Sequence, residues 1–352
     1  MTDPLLIYGA SGYTGRLIVD HALARGLRPV LGGRDPHKLA AVAALGGLEV
    51  RCADLRDAGA LRSALRGVRV VLNAAGPFST TLDPIADACF QAGAHYLDIT
   101  GEMEVIEHAS LKNEAARRRG VMLMPAVGFD VVPSDCLAAH VVGRCAGAAE
   151  LRIGIAGLEL LSRGSARTIV ERIGKGIVVR RGGRLETLDG RAPDALADFD
   201  FGEEPRRCAA VSWGDVASAF FTTGVPDITV YFEATAGVRA ALAWERTWGG
   251  LLRQGPWTGL LNRAAGLLPA GPSDARRATR SATLVAKARA RGGALVGSRL
   301  KTQEVYGFTA VAAVAVAERV LAGDFQIGFQ TPARVYGADF VLSLPGVSRE
   351  DL

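Results

Sequence analysis

The chain has 352 residues, 49% of them hydrophobic and 22% charged, with a formal net charge of +5. That length suits two domains, and the composition is that of a soluble globular protein without long disordered tracts. The charge is mild and no Lys/Arg stripe concentrates it, which argues against nucleic acid and favours anionic small molecules or an acidic partner.

The densest basic stretch, Lys287-Ala288-Arg289-Ala290-Arg291, alternates at strand period ahead of Gly292-Gly293 and reads as the wet face of a hairpin. Cys52, Cys89, Cys136, Cys145 and Cys208 are scattered, with no C-x-x-C or His-linked spacing. Neither a zinc site nor a disulfide framework is indicated, and a reducing cytoplasm is expected. Met1-Thr2-Asp3-Pro4 lacks the basic segment of a signal peptide, and the apolar run Ala310 to Ala317 is stopped by Glu318 and Arg319. That is far short of the roughly 20 residues of a transmembrane segment.

In chain order, the apolar run Leu5-Leu6-Ile7-Tyr8 enters Gly9-Ala10-Ser11-Gly12-Tyr13-Thr14-Gly15, which leads straight into the helical pattern of Leu17-Ile18-Val19. Strand, glycine turn and helix in that order are what a dinucleotide-binding βαβ unit needs. Gly9 permits the sharp turn, Gly12 the approach of backbone to a pyrophosphate, and Gly15 close helix–strand packing. Ser11, Tyr13 and Thr14 complete the expected phosphate loop, although its spacing is G-x-x-G-x-x-G rather than G-x-G-x-x-G.

A second strand, Pro29-Val30-Leu31, ends in Gly32-Gly33-Arg34-Asp35, about twenty residues on, where an NAD enzyme carries an acid for the ribose. Glycine holds that place. Arg34 offers a guanidinium to a 2′-phosphate and Lys38 a second positive charge, so the expected cofactor is NADP (NADPH). The competing reading leaves both as solvated loop charges.

A third strand, Leu48 to Ala53, runs into Asp54, and a fourth, Val68 to Leu72, runs into Asn73-Ala74-Ala75-Gly76-Pro77-Phe78. Ligands of doubly wound sheets bind outside the carboxyl ends of strands. Asp54 is therefore expected near adenine, with an N-cap as its alternative, and Ala75, Gly76 and Pro77 beneath ribose and nicotinamide. A fifth strand at His95 to Thr100 and a sixth at Val121 to Pro125 continue the alternation to about residue 127.

From residue 128 the texture changes. Gly128 to Asp135 reads as a crossover into a helix beginning near Cys136, capped by Ser134 or Asp135. Strand-like segments follow at Glu150 to Ala156, Ile177 to Arg181 and Asp227 to Thr235. The expected fold is α/β: a Rossmann-type doubly wound parallel sheet over 1–127, completed by 325–352, with a second mixed α/β substrate or dimerisation domain over 128–324. Trp244, Trp248 and Trp257, within 238–269, read either as core or homodimer interface, or as a lid or peripheral lipid contact.

As a set, Gly9 to Gly15, Gly33-Arg34-Asp35, Asn73 to Phe78, Tyr96 to Glu102 and Gly128 to Asp135 resemble the saccharopine dehydrogenase-like oxidoreductases, nearest the actinobacterial trans-acting enoyl reductases. Arg167 to Glu171, Ser212 to Asp215 and Gly328 to Ala333 extend the resemblance over nearly the whole chain. It implies an NADP-binding Rossmann domain, a substrate domain, and reduction in the cleft between them. The implied substrates are enoyl thioesters of polyketide or fatty-acyl type, borne by an acyl carrier protein or free, or else a C=N bond in an amino-acid conjugate.

Hydride transfer asks the protein to orient substrate, exclude water and manage one proton. Candidate catalytic residues are Asp130 and Ser134 beyond the sixth strand, Tyr96 as a proton donor, and Arg167 as a clamp for a carboxylate or phosphate. Each has a plainer alternative: loop brace, helix cap, packed aromatic, and an intrahelical pair with Glu171. Tyr96 is followed at the fourth position by Thr100, not Lys, which argues against a short-chain dehydrogenase. The C=N reading requires arginines converging on carboxylates, for which Arg180-Arg181 and Arg206-Arg207 are the candidates. A third reading is a non-catalytic NADP-binding scaffold or lipid-surface protein.

Overall fold

The computed structural model describes residues 5–158, 176–189, 192–202, 204–234, 271–273, 275, 277 and 279–352. The Trp-rich stretch 238–269 and Arg167 with Glu171 lie outside the described residues. The chain divides into two units, Met1–Val132 with Val305–Leu344, and Pro133–Glu304 with Pro345–Leu352.

The first unit is built on a parallel sheet. Its strands are β1 (Leu5–Tyr8), β2 (Val30–Gly33), β3 (Val50–Cys52), β4 (Val70–Asn73), β5 (His95–Asp98), β6 (Met122–Met124) and β15 (Gly328–Phe329). They lie in the order β15-β6-β5-β4-β1-β2-β3, and every pairing is parallel. β1, β2, β4 and β5 are buried at every residue, as strands covered on both faces must be. The helices between them are α1 (Tyr13–Ala24), α2 (Pro36–Ala43), α3 (Ala58–Ala64), α4 (Phe78–Ala92), α5 (Met103–Leu111) and α6 (Asn113–Arg118).

The second unit holds a mixed sheet. α7 (Val132–Gly143) leads into β7 (Ala148–Ala156), β8 (Ile177–Arg181), β9 (Arg184–Leu188), β10 (Leu196–Asp200), β11 (Pro205–Val211), α8 (Asp215–Thr223), β12 (Asp227–Glu233), β13 (Ser281–Ala290) and β14 (Leu295–Gln303). β16 (Ser348–Asp351) completes the order β10-β11-β12-β7-β13-β14-β16, with β8 set against β12 and β9. β12 runs parallel to β7, and the other pairings are antiparallel. The basic stretch at Lys287 is one arm of the β13–β14 hairpin, with Ala286 and Ala288 buried and Arg289 exposed, as alternation predicts.

Two expectations need correction. The stretch returning to the first unit is 305–344 rather than 325–352. It brings α9 (Val305–Leu321) against α1 and α10 (Pro332–Tyr336) after β15, while the last strand, β16, pairs with β14 of the second sheet. α9 buries small residues such as Ala310, Ala313 and Ala317, which let it lie close to its neighbours. Second, α7 starts at Val132, so Ser134 and Asp135 stand in its first turn and neither precedes the helix as a cap. Both are buried, and Asp135 accepts a hydrogen bond from the Thr222 hydroxyl at 2.6 Å.

Candidate dinucleotide site

The glycine loop at the carboxyl end of β1 is formed by tight local contacts. Gly9 takes φ +85°, and a β-carbon there would lie 2.8 Å from the Ala75 nitrogen, so the loops after β1 and β4 touch backbone to backbone. A β-carbon at Gly15 would collide with the Gly9 carbonyl oxygen, while the Gly12 amide donates to that oxygen at 2.9 Å. Gly12 is the N-cap of α1, no side chain caps the helix, and its first turn has no acid. That leaves the positive helix end to an anion, with Ser11, Tyr13 and Thr14 half-buried around it.

At the end of β2, Arg34 is exposed. Its acidic neighbour is turned elsewhere: Asp35 caps α2, accepting from the His37 and Lys38 amides at 3.1 and 3.2 Å. Those bonds and the Lys38 ammonium at 3.4 Å hold its carboxyl below the usual range. Lys38 therefore faces Asp35, while Arg34 stands exposed at the end of β2, where its charge also acts on Asp54.

Asp54, after β3, accepts from the Arg56 amide at 2.9 Å and from its guanidinium at 3.0 and 2.9 Å. These bonds pull its carboxyl down to about 2. The N-cap of α3 is Asp57, which accepts from Gly59 and Ala60, so the capping alternative for Asp54 is corrected.

The loop after β4 is fixed from below by Asn73, which is fully buried. Its Oδ1 accepts from the Ala75 amide at 3.0 Å, and its Nδ2 donates to Thr81 Oγ1 at 3.0 Å and to the Tyr96 hydroxyl at 3.1 Å. Thr81 in turn donates to the Ala75 carbonyl at 2.9 Å. Ala75 and Pro77 are half-buried and Gly76 exposed on this rigid ledge.

Tyr96 is completely buried and donates to Asp98 Oδ2 at 2.8 Å. Burial and the Asp98 charge push its hydroxyl far above the ordinary tyrosine range. The proton-donor expectation for Tyr96 is corrected by its complete burial and by its hydroxyl already donating to Asp98; it is a packed aromatic inside a hydrogen-bonded network. Burial likewise lifts Asp98 to about 6 against the bonds it accepts from Ala126, Thr100 and Tyr96.

Asp130 follows β6 in the same unit. A β-carbon at Gly101 would run into its carboxyl group, so Asp130 lies directly over the turn after β5. Burial first, and the charge of Glu102 second, push its carboxyl up to about 7. Glu102 is fixed at the start of α4, accepting from the Phe78 and Ser79 amides at 3.0 and 3.2 Å. The structure thus brings together at one sheet edge the glycine loop, Arg34, Asp54, the Ala75–Pro77 ledge and the Glu102/Asp130 acids. Ser134 belongs to the second unit. In the sequence Glu102 stands only as the last residue of the Tyr96 to Glu102 motif; its pairing with Phe78 across the sheet carries no local signal.

The arginines wanted for amino-acid carboxylates are engaged within the second unit. Arg180 donates to the Val216 and Gly183 carbonyls at 2.9 and 2.8 Å and lies over the Phe220 ring. Arg181 pairs with Asp194, Arg206 with Glu233 and Arg207 with Asp198. Trp213 packs on Phe232 with ring centres 4.8 Å apart. Among the described residues, no helix is long and apolar enough to cross a membrane.

The strand order and open glycine loop define a Rossmann-class dinucleotide-binding unit, and an NAD(P)H-binding family model matches residues 9–117. A probable mitochondrial saccharopine dehydrogenase-like oxidoreductase of Arabidopsis thaliana is 31% identical over 148 residues, 37% of this chain and 33% of that protein. A trans-acting enoyl reductase of Mycobacterium ulcerans is 33% identical over 150 residues, 40% of this chain and 36% of that one. The matches thus span about a third of the length of these curated relatives. The fold of saccharopine dehydrogenase (L-Glu forming) from Saccharomyces cerevisiae covers 99% of both chains with a TM-score of 0.67 at 11% identity. Over 37–40% of its length the chain is thus similar to a saccharopine dehydrogenase-like oxidoreductase and a trans-acting enoyl reductase, and over nearly all of it the fold is that of a saccharopine dehydrogenase.

Proposed function

We propose that the chain is an NADPH-dependent reductase acting on the C=C bond of an enoyl thioester, polyketide or fatty-acyl, presented free or on a carrier. The observation that carries the cofactor choice is the end of β2: Asp35 is committed to capping α2, and Arg34 stands exposed directly after the glycine that takes the place of a ribose acid. The acyl reading is supported by the likeness to the Mycobacterium ulcerans enoyl reductase and by the engagement of Arg180, Arg181, Arg206 and Arg207 in contacts within the second unit, which draws these four candidates away from an amino-acid carboxylate.

Bound NADPH would supply the hydride, and this chain's residues the rest. The first turn of α1 and the Gly9–Gly15 loop hold pyrophosphate, Arg34 the 2′-phosphate, and the Ala75–Pro77 ledge the ribose side of the nicotinamide. Asp130, kept protonated near neutral pH by burial and Glu102, donates the proton that completes reduction. Incubation with NADPH and an enoyl-CoA, followed by absorbance and mass analysis, tests this. Loss of NADPH matched by saturated thioester is expected. Turnover only of an amino acid with a keto acid would replace the acyl reading by C=N reduction, and tight binding with no turnover would make the protein a scaffold.

A further inference from the structure

The first helix of the dinucleotide unit has a neighbour from far along the chain. Tyr13, the first residue of α1, meets Tyr306, the second of α9, edge to face with ring centres 5.2 Å apart and planes at 85°. At the other end Arg25 pairs with Glu318 at 3.1 Å. Both contacts join residues 293 apart in sequence, so the two helices run side by side, parallel and in step. Their amino ends therefore lie together at the ligand edge.

α9 is held there by more than this pair. Thr309 accepts a hydrogen bond from the Phe129 amide at 3.0 Å and donates to the Val305 carbonyl at 2.8 Å. Phe308 packs against Phe129, with ring centres 5.8 Å apart. The start of α9 is thus braced on the loop that carries Asp130, and Tyr306 is 7% exposed. Tyr13, by contrast, is half-buried and lies within the glycine loop.

We infer that Tyr306 is a positioning residue for the dinucleotide site: its ring holds Tyr13 against α9, so that the glycine loop and the first turn of α1 keep the shape that receives the pyrophosphate. This rests on the cofactor reading above, and extends it to a residue beyond the 9–117 match. The pyrophosphate is common to both nicotinamide dinucleotides, so the effect differs in kind from that of Arg34.

The test is fluorescence titration of the full chain with NADPH and with NADH, for wild type, Tyr306→Ala, Tyr306→Phe, Tyr13→Ala and the double alanine variant. An edge-to-face aromatic pair corresponds to roughly two- to tenfold in affinity. Tyr306→Ala should weaken both dinucleotides by about that factor, at unchanged stoichiometry, and Tyr306→Phe should bind as wild type. Because Tyr306 acts through Tyr13, the double variant should bind no more weakly than Tyr13→Ala alone. Wild-type affinity in Tyr306→Ala, or additive losses in the double variant, would overturn the inference. A loss confined to the fraction of folded protein, seen as reduced stoichiometry with unchanged Kd, would also overturn it. Failure of wild type to bind either dinucleotide would instead remove the cofactor reading beneath it.

Discussion

The carboxyl group of Asp130 rests on Gly101, where a single methyl group would displace it, and the next residue, Glu102, brings a second acid whose own oxygens cap α4. With burial as the larger cause, the neighbouring Glu102 charge helps to hold the proton on Asp130. Asp130 sits at about 7 when folded against 3.8 ordinarily. A raised carboxyl pKa makes a contribution to stability that is full below the unfolded value and lost as pH rises through the folded one, here between roughly 4 and 7. Asp130→Asn should therefore be more stable than wild type at pH 8, by about 2–4 kcal/mol at most, and should lose that advantage near pH 4. Urea unfolding at the two pH values checks this. In the enoyl assay wild-type turnover should fall as pH rises through about 7, and Asp130→Asn should lose on the order of a hundredfold or more.

Arg34 provides a prediction with a built-in control. Removal of a guanidinium that forks a phosphate corresponds to about ten- to a hundredfold in affinity. Arg34→Ala should weaken NADPH by that factor and NADH by no more than about twofold. Titration with both nucleotides measures it, and equal losses would show that Arg34 does not read the 2′-phosphate.

What is legible in the chain follows from locality. Leu5 to Val19 carries its strand, turn and helix within fifteen consecutive residues, and each glycine has a steric reason the structure repeats. The return of α9 is not legible at its true start, because its run of alanine and valine is apolar on all sides and no periodicity marks which face meets α1. Tyr96 is ambiguous for a related reason. An aromatic at a strand end reads the same whether its hydroxyl faces a ligand or a buried carboxylate, and only the pairing of β4 with β5 sets Asn73 opposite Asp98. Asp54 and Asp57 both precede α3, and the choice of cap is decided by Arg56 drawing Asp54 away.

His95 gives the opposite pH response from Asp130. It is buried, accepts the Met122 amide at 3.0 Å through Nδ1, and packs on Phe325 with ring centres 4.1 Å apart. Burial and Arg69 lower it from 6.5 to about 4. The neutral ring's contribution is complete above the unfolded value and falls away as pH drops from about 6.5 to 4, by roughly 2–3 kcal/mol. Since Asp98 and Asp130 gain stability over the same range, the clean observable is a difference. The stability of wild type minus His95→Gln should shrink on going from pH 7.5 to pH 4.5, and a constant difference would show that His95 is not held neutral.

Asn73 joins the fold to the ledge on which the nicotinamide ribose is proposed to lie. Its side-chain amide links Ala75, Thr81 and Tyr96, beside the direct bond from Thr81 to the Ala75 carbonyl, and each of its bonds is near 3.0 Å. Asn73→Ala would leave buried donors and acceptors unmatched, which costs about 1–3 kcal/mol for the groups involved. The unfolding free energy should fall by about that amount. The Ala75–Pro77 segment, no longer tied to β4, should bind NADPH and NADH more weakly by similar factors, unlike the selective loss expected at Arg34. Asn73→Asp is the sharper variant: it keeps the acceptor for Ala75 but places a second buried carboxyl beside the Tyr96–Asp98 pair. Its binding should therefore be restored at low pH, where that carboxyl is protonated and can donate as the amide did. Urea unfolding with nucleotide titration at pH 5 and pH 8 measures both effects, and a pH-independent loss would show that the ledge does not depend on this donor.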